Sequence, residues 1–428
     1  MTAAQIRSRY LILLGLRWLP VGLLIPVLVL LPLERGLSIA EIGSVVAIQG
    51  FVVLLLELPT GGLADALGRR PVLLIAGVIN LASLALLVAA DTIVLLGLAY
   101  LLQGVYRALD SGPLESWFVD QALAADPETD IETGLSRGGT TASLAIAGTA
   151  LLSGGLVWLG PVDLGPLGQV SALTVPVLMA LILSLASTLA VALLMSEQRS
   201  ARGRVALAAS VRGVPAAIGA ALGLARRSRV VLALIAVEFL WSFGMVTFEQ
   251  LMPVRLSEVT TAAGPLMGPV SSAAWGASAV GAALVPLLAR RFGARWTGFA
   301  LRVGQGLTIV GMGLLAGPVG VIGAFLLRYA VHGAANPVHA GLLHRQAEGE
   351  YRTSLLSLNS MVAAPGFAIG SIVLTAVAAR AGTSTALITG AVVLAAAAPL
   401  YLVKSRAGSA GTEFREPSHP GTSLSQAL

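Results

Sequence analysis

Arg107, Asp110 and Glu115 stand close together in an otherwise apolar stretch of this 428-residue chain. On a helix, Arg107, Ser111 and Glu115 share one stripe, and Asp110 lies one turn from Arg107. An arginine beside a carboxylate in an apolar setting keeps both groups charged, and a proton arriving on the acid weakens the pair. The plainer role for the same residues is a static ion pair. Further along, Arg328, His332, Asn336 and His339 recur at near-helical spacing. Imidazoles titrate near neutrality and can relay protons or hold a ligand, or they can pack as hydrogen-bonded neutral rings. Two histidines seven residues apart do not make a metal site. Glu238 opens an aromatic run through Phe239, Trp241, Phe243 and Phe248 that closes on Glu249. Acid and ring faces together suit a cationic amphiphile, although aromatics at such spacing also simply pack. Arg17 beside Trp18, with Glu57 and Arg302, completes the set.

The stretches that carry these groups are long and apolar. Hydrophobic residues make up 56% of the chain and charged ones 11%, and the mean hydropathy is +0.87. Soluble domains carry about 25% charged residues, so this inventory cannot cover a water-exposed surface. Apolar runs near 20 residues indicate a polytopic helical membrane protein. Twelve spans are expected, near 10–32, 40–60, 71–90, 92–119, 137–159, 169–195, 229–253, 266–289, 297–315, 319–343, 356–379 and 383–403. Cysteine is absent, which removes disulfides and thiol chemistry. Arg17 interrupts the first apolar run and no small-residue cleavage site follows it, so a cleavable signal is not expected. No nucleophile elbow, phosphate-binding loop or dinucleotide fingerprint occurs. Enzymatic chemistry, a cofactor and a metal are therefore not expected, nor is nucleic acid, because the net charge of +6 sits in short loops.

Those loops give the orientation. With the N-terminus inside, inner segments hold twenty basic residues and outer loops only Arg35, Arg255 and Arg380, which places both termini in the cytoplasm. The longest connection divides the chain into a half at 1–195, a linker at 196–228 and a half at 229–405. In the linker, Leu207, Val211, Val214, Ile218 and Leu222 recur at helical spacing, as in a short amphipathic helix on the inner leaflet. The Gly/Ser/Pro-rich tail at 406–428 is expected to be disordered. Gly68 and Gly293 lie 225 residues apart in related segments, and Gln121 and Gln346 keep the same offset. The two halves thus read as a repeat, with Arg290 standing where the first copy has Asp65.

The first copy is the segment Gly61-Gly62-Leu63-Ala64-Asp65-Ala66-Leu67-Gly68-Arg69-Arg70-Pro71, a tight charged turn between two apolar spans. The pattern matches the signature loop between helices 2 and 3 of the major facilitator superfamily of transporters, and the chain resembles that superfamily over about residues 5–405. Ser111-Gly112-Pro113-Leu114-Glu115-Ser116-Trp117-Phe118-Val119-Asp120 is similar to a variant found in its bacterial efflux-type branch. Arg107-Ala108-Leu109-Asp110-Ser111 keeps the arginine of the efflux motif, with an acid and a serine in place of glutamine and glycine. The antiporter signature of span 5 is not kept, because Leu151-Leu152-Ser153-Gly154-Gly155 lacks the proline.

The resemblance implies an all-α membrane protein of twelve transmembrane helices in two pseudo-symmetric six-helix halves, working by alternating access. It implies that spans 1, 4, 7 and 10 line a central cavity. Arg17, Arg107, Glu238, Trp241, Arg328, His332, Asn336 and His339 all fall on those spans. Glu57 and Arg302 do not, and both lie near enough to the inner surface to snorkel. Arg17 is further expected to pair with Glu57. Asp110, Glu115 and Glu238 are the expected proton carriers. Gly61, Asp65, Gly68, Arg69 and Arg70 form the gating loop, with Asp65 facing the start of span 11 near Ser357 and Arg69 reaching Asp120. The function implied is a monomeric, proton-coupled plasma-membrane transporter exporting a small lipophilic or amphipathic compound. The excess of acids over arginines within the spans tilts that expectation toward a cation. Import of a polar nutrient with protons, and a transporter-like receptor that moves nothing, are the alternatives.

Overall fold

The computed structural model describes residues 1–163, 165, 168–197, 223, 228–346 and 350–404, with the side chains of 57–62, 65–66, 350–354 and 356–357 outside that description. The amphipathic helix expected at 207–222 and the tail 406–428 lie outside the described residues. Inner and outer denote the ends that the arginine distribution assigns to the cytoplasm and to the opposite side.

In lipid the backbone must satisfy its own polar groups, which makes helices the solution for long apolar runs. Span 1 is α1 (Ala3–Leu24) and α2 (Leu30–Glu34), span 2 is α3 (Ile39–Leu67) and span 3 is α4 (Arg69–Ala89). Span 4 is α5 (Ile93–Asp110) and α6 (Pro113–Ala125), span 5 is α7 (Ile131–Trp158) and span 6 is α8 (Val175–Leu194). Between spans 5 and 6, β1 (Val162–Asp163) and β2 (Gln169–Val170) pair antiparallel. Span 7 is α9 (Arg229–Glu249) and α10 (Leu251–Val259), span 8 is α11 (Ala263–Ala283) and α12 (Val285–Phe292), and span 9 is α13 (Ala294–Leu314). Span 10 is α14 (Gly317–His344), span 11 is α15 (Glu350–Ala381), and span 12 is α16 (Thr383–Ala395) with a 3₁₀ turn at Ala398–Leu402.

Among the described residues, 10 helical segments are long and apolar enough to cross a membrane. Spans 1 and 9 fall short of that measure. Every 18-residue stretch of α1 contains Arg7, Arg9 and Arg17, and α13 carries Arg295, Arg302 and Gln305. Both nevertheless pack inside the bundle, span 1 on spans 5 and 6, and span 9 on spans 10 and 12.

Where the expected spans were single helices, several are broken. Ser111 leaves the helix and Gly112 sits at φ +92° ahead of Pro113, which opens α6. A left-handed residue followed by a proline cannot continue an α-helix. Span 1 leaves its helix at Ile25 and span 7 at Gln250, and 250 − 25 is the 225-residue repeat again. Asp130 caps α7, and hydrogen bonds from the Thr133 hydroxyl and N–H hold its carboxyl below the usual range.

The halves meet along spans 2 and 11 and along spans 5 and 8. At the first seam a Cβ on Gly43 would fall within contact-forbidding range of Thr375 and of the Ser371 carbonyl, and at the second a Cβ on Gly268 would strike Gly154 and the Ala150 carbonyl. Gly43 and Gly268 are 225 apart, as are Ala150 and Thr375, so the two seams are copies of one contact. Both lie in the outer parts of their spans. Small residues let backbones approach this closely, and the Ser371 hydroxyl adds a 2.8 Å hydrogen bond to the Gly43 carbonyl.

Candidate functional site

A cavity of about 480 Å³ lies between the halves, lined from the middle and outer parts of the spans. Spans 1, 4, 7 and 10 supply much of its wall, joined by residues of spans 2, 3, 8 and 11. Most of its lining is apolar or aromatic, including Trp18, Tyr100, Tyr106, Phe248, Trp275, Phe325, Tyr329 and Phe367. Its charges are Arg17, Arg107, Asp110 and Glu249.

The break in span 4 builds one wall. Ending α5 at Asp110 leaves that residue's carbonyl without a helical donor. Arg17 of span 1 fills the gap: its Nη2 donates to the Asp110 carbonyl at 3.0 Å, and its Nε donates to Asp110 Oδ2 at 2.5 Å. Asp110 is buried and Arg17 largely so. Arg17 therefore pairs with Asp110, because the break turns the end of α5 toward span 1, and the expected contact of Arg17 with Glu57 falls on a side chain outside the described residues. The expected stripe of Arg107, Ser111 and Glu115 is interrupted by the same break. Arg107 projects into the cavity without an ion pair among the described residues, while Glu115 is exposed on the first turn of α6 and is not among the residues lining the cavity.

The C-terminal half separates the span 10 set into two networks. In the first, His339 lies 3.5 Å from Glu238, 3.0 Å from the Tyr401 hydroxyl and 3.3 Å from Asn359 Oδ1. A neutral ring that donates from Nε2 and accepts at Nδ1 satisfies all three contacts. Glu238 is thus engaged beside spans 10 to 12 and does not line the central cavity. Arg302, expected to snorkel, is 1% exposed, donates to Gln305 Oε1 at 2.8 Å, and lies 5.6 Å from the Trp241 ring. In the second network, Asn336 is 3.3 Å from His332, whose ring stacks on Trp241 at 5.4 Å with planes 4° apart. Arg328 is fully buried, with its guanidinium 3.7 Å above the Phe248 ring.

At the inner end, Gly68 adopts φ +93° between spans 2 and 3, as the turn requires. Arg69 pairs with Asp120 at 2.6 Å, the contact expected from the loop motif, and donates to the Ser116 carbonyl at 2.9 Å. Arg70 donates to the Ala192 carbonyl at 2.8 Å. The side chains of Gly61, Asp65 and Ser357 lie outside the described residues, so the expected Asp65 contact does too.

Four features escaped the sequence reading. Glu197 accepts from the N–H groups of Arg69 and Arg70 at 2.9 Å each, capping span 3 from 127 and more residues away. Arg35 donates to the carbonyls of Leu87, Val88 and Ala90 at the outer end of span 3, and Arg255 does the same for Met312 and Leu315 at the end of span 9. The cavity acid of span 7 is Glu249 and not Glu238. Gln250, beside it, donates to the Ser371 hydroxyl at 2.9 Å and so touches the seam residue that holds Gly43. Only the isolation of Arg35 and Arg255 in otherwise unbasic outer loops hinted at a special task.

The fold has close relatives in shape. The nucleoside transporter NupG, at 14% identity, superposes with a TM-score of 0.76 over 94% of this chain and 100% of that one. A bacterial homolog of the human lysosomal transporter Spinster, in an inward-facing and occupied conformation, does so at 12% identity with a TM-score of 0.73, over 93% and 96%. No curated protein matches the chain. The family profile described as Major Facilitator Superfamily matches residues 10–331, a span holding the loop between spans 2 and 3, the seam of spans 5 and 8 and all of the cavity lining except Phe367, and the chain belongs to that superfamily of transporters.

Proposed function

We propose that the protein is a proton-coupled secondary transporter that exports a small amphipathic compound from the cytoplasm by alternating access. The observation that carries this reading is the Arg17–Asp110 pair in the wall of an aromatic-lined cavity between the halves. A proton on Asp110 removes the charge that holds Arg17, and Arg17 is then tied to the broken end of α5 by its hydrogen bond to the Asp110 carbonyl alone. That gives one proton-sensitive latch between two helices of the cavity. The aromatic walls suit a substrate with an apolar body. Retention of Arg107 in an efflux-like segment supports export. In this reading the chain works as a monomer in the plasma membrane, with both termini cytoplasmic.

The test is flux in proteoliposomes bearing the purified protein. Asp110→Asn should abolish accumulation driven by a pH gradient while leaving substrate exchange at equal pH, since exchange needs no net protonation. Gradient-driven accumulation at the wild-type rate in Asp110→Asn would remove the latch from the mechanism. Lowered accumulation of lipophilic dyes in pump-deficient cells expressing the protein supports export, and raised accumulation would reverse the direction.

A further inference from the structure

Buried polar atoms without partners collect in one part of the C-terminal half. Arg328 is 0% exposed, and its Nε, Nη1 and Nη2 make no hydrogen bond among the described residues. Trp241 Nε1 and His332 Nδ1 are likewise buried and unpartnered. The three side chains share one aromatic setting, with Trp241 stacked on His332, His332 beside Phe248 and Tyr329, and the Arg328 guanidinium over Phe248. Cation–π contact offsets part of the cost of burying a guanidinium, but it satisfies none of its N–H donors. Buried donors are almost always hydrogen-bonded, and a buried charge left alone is expensive. Such a cluster is what a site built for an absent acceptor looks like.

The pairing of the other charges agrees. Asp110 is taken by Arg17 and Glu238 by His339, so two of the acids whose excess suggested a cationic substrate are engaged. Arg107 and Arg328 have no ion pair among the described residues, while Glu249 is the single acid of the cavity wall without one. In the lining itself Arg107 and Glu249 balance, and Arg328, beside the lining rings of Phe248 and Tyr329, leaves one positive charge in excess next to the cavity. Asn336, exposed on the inner part of span 10 and bonded to His332, marks the approach to the cluster from the inner side.

We infer that Arg328, with Trp241 Nε1 and His332, forms the subsite that binds the anionic group of the substrate, and that the substrate is an aromatic or amphipathic organic anion such as a carboxylate. A planar carboxylate matches the guanidinium fork and the indole N–H together, and the rings of Trp241, Phe248 and Tyr329 receive the apolar body. This deepens the export reading and rests on it for the substrate being carried.

Three probes of one shape test it: 1-naphthaleneacetate, 1-naphthalenemethanol and 1-naphthalenemethylammonium, with binding to the purified protein measured by calorimetry. The anion should bind tightest. Arg328→Gln should weaken the anion by about 10- to 100-fold, the range for hydrogen bonds to a charged group, and leave the alcohol within about twofold. Trp241→Phe, which keeps the ring and removes the N–H, should weaken the anion by a smaller factor. Because an unpaired buried charge is removed, ligand-free Arg328→Met should melt no lower than wild type. Preference for the ammonium probe, equal anion affinity in Arg328→Gln, or a marked loss of stability in ligand-free Arg328→Met would each overturn the assignment. Flux of the anion in proteoliposomes separates the two readings, since binding without flux keeps the subsite and ends the transport proposal.

Discussion

At the scale of single residues, the informative contrast is between Glu197 and Asp120, the two acids that hold the head of span 3. Asp120 reaches Arg69 from a side chain that is 60% exposed. Exposed ion pairs contribute about 0.2–1 kcal/mol. Glu197 instead accepts two backbone N–H groups at the start of a helix, where the orphan donors and the helix dipole favour an anion. It also fills the space beside Gly68, where an added Cβ would come within 2.9 Å of its carboxylate. Glu197→Ala should therefore lower the melting temperature more than Asp120→Ala, and cost about 1–2 kcal/mol by analogy with the loss of an N-cap. Equal destabilisation in thermal unfolding of the two purified variants would return Glu197 to an ordinary linker residue. Neither the identity nor the spacing of Glu197 announces this role, because its partners lie in another part of the chain and the contact exists only once spans 3 and 6 have packed. Asp120 was legible because the loop motif carried it.

At the scale of elements, the outer arginines show how much a repeat can add to a hydropathy plot. Arg35 gathers the last carbonyls of span 3 and also bonds to Thr174 Oγ1 at the head of span 6. Arg255 gathers carbonyls at the end of span 9. Leu87 and Met312 are 225 residues apart, as are Ala90 and Leu315, so the two arginines cap equivalent helix ends from positions that are not themselves equivalent, 220 apart. Charged donors at a helix C-terminus meet both the unpaired carbonyls and the negative end of the dipole. Arg35→Gln and Arg255→Gln should each destabilise the protein by about 1–3 kcal/mol, the range for losing hydrogen bonds from a charged group, and their effects should add because the sites lie in different halves. Markedly less than additive melting shifts would show that one half's outer end depends on the other. The spans themselves were readable from length and hydropathy, and the repeat from the glycines at 68 and 293. The breaks at Ile25 and Gln250 carry a weaker mark, Pro26 directly after the first and Pro253 three residues after the second, since proline lacks the N–H that continues a helix. The break at Gly112 was written in the sequence as Ser-Gly-Pro, and reading through it is what hid the Arg17–Asp110 pair.

At the scale of the whole molecule, the two seams are the joints about which the halves must move. The outer ends are held together by glycines that admit backbone against backbone, Gly43 on span 11 and Gly268 on span 5. Alternating access requires both contacts to open when the cavity turns outward. Gln250, in the cavity wall, bonds to Ser371, which bonds to Gly43, so the wall and one seam are linked through a single hydroxyl. A side chain at position 43 would meet Thr375 and the Ser371 carbonyl well inside van der Waals range, and helix backbone cannot yield by that much. Gly43→Ile should therefore hold the outer seam apart, and Gly268→Ile should act alike at the equivalent contact. The absence of cysteine from the chain supplies a clean background for the measurement. Gln103→Cys places a thiol in the cavity lining, and its labelling by a membrane-impermeant maleimide from the outer side reports opening. Labelling should be slow in the otherwise wild-type protein and fast when either glycine is replaced, with transport lost in both. Slow labelling of well-folded Gly43→Ile and Gly268→Ile would mean that the seams are not the outer gate, and the joint would then have to be sought among the aromatic residues of the cavity wall.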